Sequence, residues 1–283
     1  MQDEFVLLRC GAWQARIFPQ FGMNLFSLRW QNRPVLREPD SLEALAASPY
    51  LHGVPLLLPA NRTKGGEFSF GGKPYRLPLN EPERGNHLHG LMFDAPFTVR
   101  NQTETSLTAA YENRGERYPF PFSMTISDML NEDGLVRRLR IENTGPGPMP
   151  YTLALHATFA EPARFCVPVG ERFVCDENYI PTGETAPLTQ AERLYRTGAV
   201  PKGRAISGFY RAAGRTAALD DIRFAVSEQF DQWVLFNGGG ERGFLCIEPQ
   251  CGEVNGLNRP GGCRILAPQE ATEFTISFKR EES

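Results

Sequence analysis

The chain has 283 residues, of which 41% are hydrophobic and 22% are charged, and its formal net charge is −3. This length allows one large domain or two small ones, and the hydrophobic fraction excludes a globally disordered chain. No long run of one charge occurs, so we do not expect a nucleic-acid-binding surface, which needs clustered Lys and Arg. No apolar run approaches 18 residues, so we do not predict a transmembrane helix or a membrane partner.

The N-terminal stretch and the cysteines predict a cytoplasmic protein. MQDEFVLLRCGAW (1–13) starts acidic and lacks the basic region and apolar stretch of a signal peptide. The six cysteines show no CxxC spacing, which argues against a zinc ribbon or a thioredoxin-type site. Without an export signal, we expect free thiols in a reducing compartment.

Period-two alternation of apolar residues, the pattern of half-buried strands, recurs along the chain. In SMTISDML (123–130), Asp128 shares a face with three apolar residues, and in LVRRLRI (135–141) Arg137 does the same. EFTISFKR (273–280) alternates without such a charge. Gly-rich and Asn-rich turn signals separate these runs, as expected for a chain of many short strands.

Helical patterns are short and few. DSLEALAAS (40–48) begins with two capping residues, and PLTQAERLYR (187–196) predicts a second short helix. No alternating βαβ pattern occurs, which disfavours a Rossmann domain or a (β/α)₈ barrel. NTGPGPMP (143–150) is the best candidate boundary, but strands of the same character continue on both sides. We therefore predict an all-β fold, one large β-sandwich domain over residues 1–283.

Three polar positions on predicted strands are candidate functional residues, and the first is His156. In YTLALHATF (151–159), strand alternation places the apolar residues on one face and His156 on the other, among small and polar neighbours. Such a histidine either lies on the floor of a wet cleft or is half-buried and bonded to a neighbouring strand. The segment alone leaves both interpretations open.

The second candidate is Glu248 in FLCIEPQ (244–250), at the end of an apolar strand and directly before a proline. A carboxylate in a buried strand must be paired, hydrogen-bonded or functional, because desolvating it alone is expensive. A salt bridge to an arginine and a functional role both remain open.

The third candidate is the pair of histidines in RGNHLHGLMF (84–93). If this segment is extended, His87 and His89 share a face, and with Asp94 they resemble the first metal motif of cupin barrels. A cupin would add a later histidine, and CVPVGERF (166–173) is not followed by one. The metal hypothesis is therefore incomplete.

Four motifs, in order, resemble those of the aldose 1-epimerase (galactose mutarotase) family over nearly the whole chain. LPANRTKGGEFSFGGKPYRLPLNEPERGNHLHG (58–90) is similar to the family's Asn-Arg segment, Gly-rich hairpin and Asn-x-x-His-Gly stretch. LALHATF (153–159) looks like the second histidine strand, and YIPTGE (179–184) matches a loop often seen in these enzymes. CIEPQ (246–250) resembles the strand that carries the essential glutamate.

The resemblance implies a large antiparallel β-supersandwich with few short helices and a sugar bound in a cleft on one sheet. It also implies interconversion of α and β anomers without a metal or a cofactor. Glu248 would be the general base that takes the proton from the C1 hydroxyl, and His156 the general acid that protonates the ring oxygen.

The resemblance further implies that a small-molecule sugar is the partner, bound by His89 and Arg62, with Asn86 and Gln250 as weaker candidates. His87 would then be a local structural or rim residue. A monomer or a homodimer is expected.

The sequence departs from the family pattern at two places. Leu91 stands where the common motif has a second glycine after His-Gly. ISGFYRAAGRTAAL (206–219) lacks the aspartate that binds sugar hydroxyls in many galactose mutarotases, and Asp231 is one option for that role.

These departures leave two alternatives to a free-aldohexose epimerase. The first is a hexose-6-phosphate 1-epimerase, in which Arg62, Arg84 and Arg172 could hold the phosphate. The second is a non-catalytic sugar-binding or regulatory protein on the same fold.

Overall fold

The computed structural model describes residues 5–281 as stacked β-sheets with few short helices. The strands in chain order are β1 (Val6–Cys10), β2 (Trp13–Phe18), β3 (Asn24–Trp30), β4 (Arg33–Pro34), β5 (Leu56–Leu57), β6 (Arg62–Lys64), β7 (Glu67–Phe70), β8 (Lys73–Arg76), β9 (Asn86–Leu88), β10 (Thr98–Gln102), β11 (Ser106–Asn113), β12 (Phe122–Asn131), β13 (Gly134–Asn143), β14 (Met149–Tyr151), β15 (Leu153–Leu155), β16 (Thr158–Ala160), β17 (Phe165–Cys166), β18 (Val169–Cys175), β19 (Pro181–Ala186), β20 (Ser207–Ala212), β21 (Thr216–Leu219), β22 (Ile222–Val226), β23 (Gln232–Phe236), β24 (Phe244–Cys251), β25 (Arg264–Leu266) and β26 (Ala271–Arg280).

Two eight-stranded sheets make up most of the molecule. The first large sheet has the order β10-β11-β12-β13-β26-β22-β21-β17. The second large sheet has the order β19-β18-β20-β23-β24-β15-β5, and β16 also pairs with β24. A four-stranded sheet (β1-β2-β3-β4) and the pairs β14-β25, β6-β9 and β7-β8 complete the fold. These ladders are antiparallel, so the predicted all-β antiparallel sandwich with few short helices is confirmed.

The burial of each strand follows from its position in the sandwich. Positions along β12 alternate between buried and partly exposed, because one face of the first large sheet packs on the core. All eight residues of β24 (Phe244–Cys251) are buried, because this strand lies in the middle of the second large sheet with both faces covered. Polar groups on β24 are therefore desolvated wherever they occur.

The two charged residues that the alternation places on the inward face form a buried ion pair. Asp128 on β12 lies opposite Arg137 on β13. Arg137 Nε and Nη2 each donate to an Asp128 carboxylate oxygen at 2.7 Å, and Nη2 also donates to the Met23 carbonyl at 2.9 Å. This bidentate geometry satisfies both charges inside the core.

Both predicted helices are present, and both are shorter than the predicted segments. Helix α1 (Leu42–Ala47) begins at Ser41, whose hydroxyl accepts a hydrogen bond from the Ala44 N–H at 3.1 Å. Helix α2 (Gln190–Arg193) begins with a capping box at Thr189 and continues as a 3₁₀ turn. No helix within residues 5–281 has both the length and the apolar character to cross a membrane. All six cysteines are free, as expected.

Candidate active site

The strand predicted over 151–159 is interrupted at its histidine. β15 and β16 pair with β24 on either side of the gap in one common register, and that register places His156 opposite Glu248. The His156 N–H donates instead to the Pro55 carbonyl at 2.9 Å. His156 Nε2 lies 3.3 Å from Glu248 Oε1. The contact partner of the Glu248 carboxyl group is therefore a histidine and not the arginine of a salt bridge.

Burial controls the protonation of this pair. His156 is 4% exposed and Glu248 is 2% exposed. Burial lowers the pKa of His156 to about 4. Burial raises the pKa of Glu248 to about 8, against the opposing charge of Arg62. Because burial favours the neutral form of both groups, the pair holds a single proton across the neutral pH range.

His89 lies beside the pair on a left-handed backbone. It follows β9 directly with φ +65°, and its N–H donates to the Asn61 carbonyl at 2.8 Å. Its ring centroid is 5.2 Å from that of His156, with the rings nearly perpendicular. Burial holds the pKa of His89 well below its ordinary value, with smaller effects from nearby His156, Arg62 and His87. Both imidazoles are therefore neutral at pH 7.

Gly90 sets the position of the His89 backbone. It also has a left-handed backbone, with φ +69°. A Cβ atom at this position would lie 2.0 Å from the Leu58 carbonyl oxygen. Only glycine permits this close approach of the two chain segments.

The structure does not bring His87, His89 and Asp94 together as a possible group of metal ligands within the described residues. His87 is fully buried, and its Nδ1 lies 2.6 Å from the Pro78 carbonyl oxygen. Asp94 pairs with Arg117 instead of approaching either imidazole. His87 is accordingly a structural residue and does not lie at a rim.

Arg62 is held by a carboxylate that the sequence analysis missed. Arg62 Nε and Nη2 donate to the two oxygens of Glu81 at 2.9 and 2.7 Å. Glu81 also accepts a hydrogen bond from Asn86 Nδ2 at 3.0 Å and one from Arg84 Nη1 at 3.4 Å. The guanidinium carbons of Arg62 and Arg84 each lie 5.0 Å from the Tyr179 ring.

These groups meet at a cavity of about 350 Å³. Four of the predicted site residues line it, namely Arg62, His89, His156 and Glu248. Its size lies at the small end of the range for ligand pockets, which suits a small molecule. Two β-strands of the second large sheet, β20 and β23, supply the more apolar wall.

The structure does not bring Asn86 and Gln250 to this cavity. Asn86 lies behind Arg62, bonded to Glu81, and Gln250 Nε2 donates to the Gly252 carbonyl at 2.9 Å. Asp231 pairs with Arg264, outside the cavity. Among the described residues that line the cavity, none is an aspartate.

Two further lining residues, Tyr50 and Tyr179, were not predicted. Tyr179 belongs to the YIPTGE motif (179–184), which had no assigned role. Tyr50 lies in a 3₁₀ turn (Pro49–Leu51) and had no sequence signal. Their positions depend on how distant loops fold over the sheet.

One group of side chains within the described residues could hold a metal ion, and it includes the His156–Glu248 pair. His156, Cys246 and Glu248 each offer one ligand atom, and these atoms lie within 4.8 Å of one another. Cys246 lies two residues before Glu248 on β24, so both side chains project to the same side of the strand.

The sequence profile described as Aldose 1-epimerase matches residues 13–279, and the chain belongs to the aldose 1-epimerase family. The Escherichia coli protein YphB is 22% identical over 267 residues, covering 89% of this chain and 91% of YphB. The Escherichia coli protein YihR is 28% identical over 143 residues, covering 47% of this chain and 46% of YihR. The family predicted from the four motifs is confirmed.

Solved structures show the same fold at low sequence identity. A galactose mutarotase-like protein from Clostridium acetobutylicum is 21% identical, with a TM-score of 0.91 over 99% of this chain and 95% of that chain. The galactose 1-epimerase of Lactobacillus acidophilus is 18% identical, with a TM-score of 0.81 over 99% of this chain and 94% of that chain. The predicted galactose mutarotase-like supersandwich is confirmed.

Proposed function

We propose that this protein is an aldose 1-epimerase that interconverts the α and β anomers of a free aldohexose. The observation that supports this most is the buried His156–Glu248 pair, 3.3 Å apart, at the cavity that Arg62 and His89 also line. Ring opening needs one acid and one base that act together. Because the two groups hold a single proton, one of them can act as the acid and the other as the base.

The proton balance closes over a full cycle. Transfer of the shared proton from Glu248 to His156 prepares the pair. Glu248 then takes the proton from the C1 hydroxyl, and His156 protonates the ring oxygen as the C1–O5 bond breaks to leave an aldehyde. Glu248 now holds a proton and His156 is neutral, which is the form that burial favours.

Reclosure uses the same groups in reverse. After rotation about the C1–C2 bond, the O5 hydroxyl attacks the other face of the aldehyde. His156 takes the O5 proton, and Glu248 returns its proton to O1. The opposite anomer forms, and the pair again holds one proton.

Arg62 and His89 are suited to hold the sugar. The bidentate contact with Glu81 fixes the Arg62 guanidinium, so its remaining N–H groups have defined directions for a sugar oxygen. Arg62 Nη1 also donates to Asn61 Oδ1 at 3.2 Å. The neutral His89 imidazole can donate or accept a hydrogen bond.

The charges around the cavity favour a neutral sugar over a hexose 6-phosphate. Arg62 and Arg84 already share Glu81. Arg172 does not line the cavity, and its Nε lies 3.6 Å from the Glu192 carboxylate. Glu81 therefore offsets part of the positive charge that Arg62 and Arg84 would offer to a phosphate.

Polarimetry on freshly dissolved α-D-glucose, α-D-galactose and glucose 6-phosphate tests the proposal. We expect the protein to accelerate mutarotation of at least one free hexose. Glu248→Gln should lower kcat by roughly 10²-fold or more. Glu184→Gln, at an exposed position outside the cavity, is the matched control and should be fully active.

Three other outcomes would change the assignment. An active, folded Glu248→Gln variant would remove Glu248 from the base role. Acceleration with glucose 6-phosphate alone would make the protein a sugar-phosphate epimerase. Calorimetric binding of a hexose without acceleration would make it a non-catalytic sugar-binding protein.

A further inference from the structure

Tyr50 lines the cavity but has no role in the proton transfers above. It lies between α1 and β5, and its ring packs on a small apolar cluster of Leu57, Ala60 and Ala154. Phe93 contacts the Tyr50 ring edge to face, with centroids 5.1 Å apart. The side chain is thus held against the floor of the cavity.

The Tyr50 ring also packs against both imidazoles of the site. Its centroid lies 4.6 Å from that of His89 and 6.4 Å from that of His156. The Tyr50 carbonyl accepts a hydrogen bond from Thr158 Oγ1 at 3.3 Å, and the same hydroxyl lies 3.4 Å from His156 Nδ1. Ring and backbone therefore connect Tyr50 to both histidines.

The Tyr50 hydroxyl makes no hydrogen bond within residues 5–281, although the side chain is half-buried. Burial, with a smaller effect of the Asp94 carboxylate, raises its pKa, so it stays a donor at every working pH. His89 Nδ1, in contrast, is fully buried and has no partner among the described residues. A polar ligand in the cavity would give each of these two groups a hydrogen-bond partner.

From this geometry we infer that Tyr50 is a further substrate-binding residue. Its hydroxyl donates a hydrogen bond to a sugar oxygen, and its ring holds the His89 imidazole in place. The identity of the ligand rests on the proposed function. The hydrogen bond from Tyr50 forms only with a sugar that has an oxygen at the matching position. Tyr50 therefore contributes to sugar specificity.

Two substitutions separate the hydroxyl from the ring. Tyr50→Phe removes only the oxygen, so KM should rise roughly 3–10-fold while kcat stays within about twofold. Tyr50→Leu also removes the ring, so kcat should fall as well, because His89 loses its packing partner. Tyr75→Phe, on β8 outside the cavity, is the matched control and should leave both constants unchanged.

Deoxy sugars identify the oxygen that Tyr50 binds. The wild-type protein should lose affinity for one monodeoxy analogue of its preferred hexose, and Tyr50→Phe should no longer distinguish that analogue from the parent sugar. A merely structural role for Tyr50 would lower affinity for every analogue in equal proportion.

The failure of this inference differs from failure of the proposed function. An active wild-type protein with an unchanged KM in Tyr50→Phe would overturn the role of Tyr50 alone. If the wild type binds a hexose without turnover, calorimetry replaces KM, and Tyr50→Phe must weaken Kd by the same factor. A wild type that neither binds nor accelerates any of the tested sugars would overturn both.

Discussion

The Glu248 carboxyl group and the His156 imidazole lie 3.3 Å apart, and both side chains are almost fully buried. Burial therefore shifts their pKa values in opposite directions, to about 8 for Glu248 and about 4 for His156. An isolated carboxylate and an isolated imidazole would titrate in the reverse order. Between these limits the pair contains one proton, which is the state that acid/base catalysis of ring opening requires.

The pH dependence of kcat/KM should therefore be a broad bell. Below about pH 4 both groups are protonated and no base remains, and above about pH 8 both are deprotonated and no acid remains. Polarimetry from pH 3.5 to 9.5, corrected for spontaneous mutarotation at each pH, measures this. A pH profile with only one inflection, near the ordinary histidine pKa of about 6.5, would contradict the hypothesis that His156 and Glu248 share one proton.

Glu248→Gln should stabilise the folded protein at alkaline pH. The folded-state pKa of Glu248 is raised to about 8. The contribution of its protonation to the free energy of unfolding is therefore complete below the unfolded-state pKa. It is lost as the pH rises to the folded-state pKa. Glutamine has no proton to lose. The Tm of the variant minus that of the wild type should grow between about pH 5 and pH 8 in scanning calorimetry. With Glu184→Gln this difference should stay flat, and a flat difference for Glu248→Gln would show that the carboxyl group is not desolvated.

The buried ion pair predicts a large loss of stability for Asp128→Ala. The substitution leaves the Arg137 guanidinium buried without its carboxylate, which costs about 3–5 kcal/mol in the free energy of unfolding. Glu142→Ala on β13 is the control, because the Arg140–Glu142 pair is partly exposed and contributes at most about 1 kcal/mol. Urea denaturation of both variants measures the difference. Equal losses would contradict the distinction between buried and exposed pairs.

Gly90→Ala should damage both folding and activity. Its Cβ would lie 2.0 Å from the Leu58 carbonyl oxygen, so the chain must shift at the residue after His89. Gly71→Ala is the matched control, because its backbone is also left-handed but no atom lies within 4 Å, and strain of roughly 1–2 kcal/mol is expected. Denaturation and polarimetry should show a larger loss of stability for Gly90→Ala, and a loss of kcat only there.

The amino-acid sequence by itself determined the secondary structure and the family. Strand alternation placed Asp128 and Arg137 on the buried face, and capping residues marked the starts of α1 and α2. These features depend on neighbours along the chain, through the two-residue period of a strand and the hydrogen bonds of a helix start. The four motifs identified the family because they contain residues that line the cavity.

Only the tertiary structure decided which side chains meet. The contact between His156 and Glu248 depends on the register of segments almost a hundred residues apart, and on a break in the strand that alternation does not reveal. The left-handed backbone at His89 depends on a single positive φ angle that the sequence pattern does not reveal. Tyr50 reaches the cavity because its loop folds over the sheet. Register, backbone handedness and loop packing are set by the energy of the whole chain, so no local pattern predicts them.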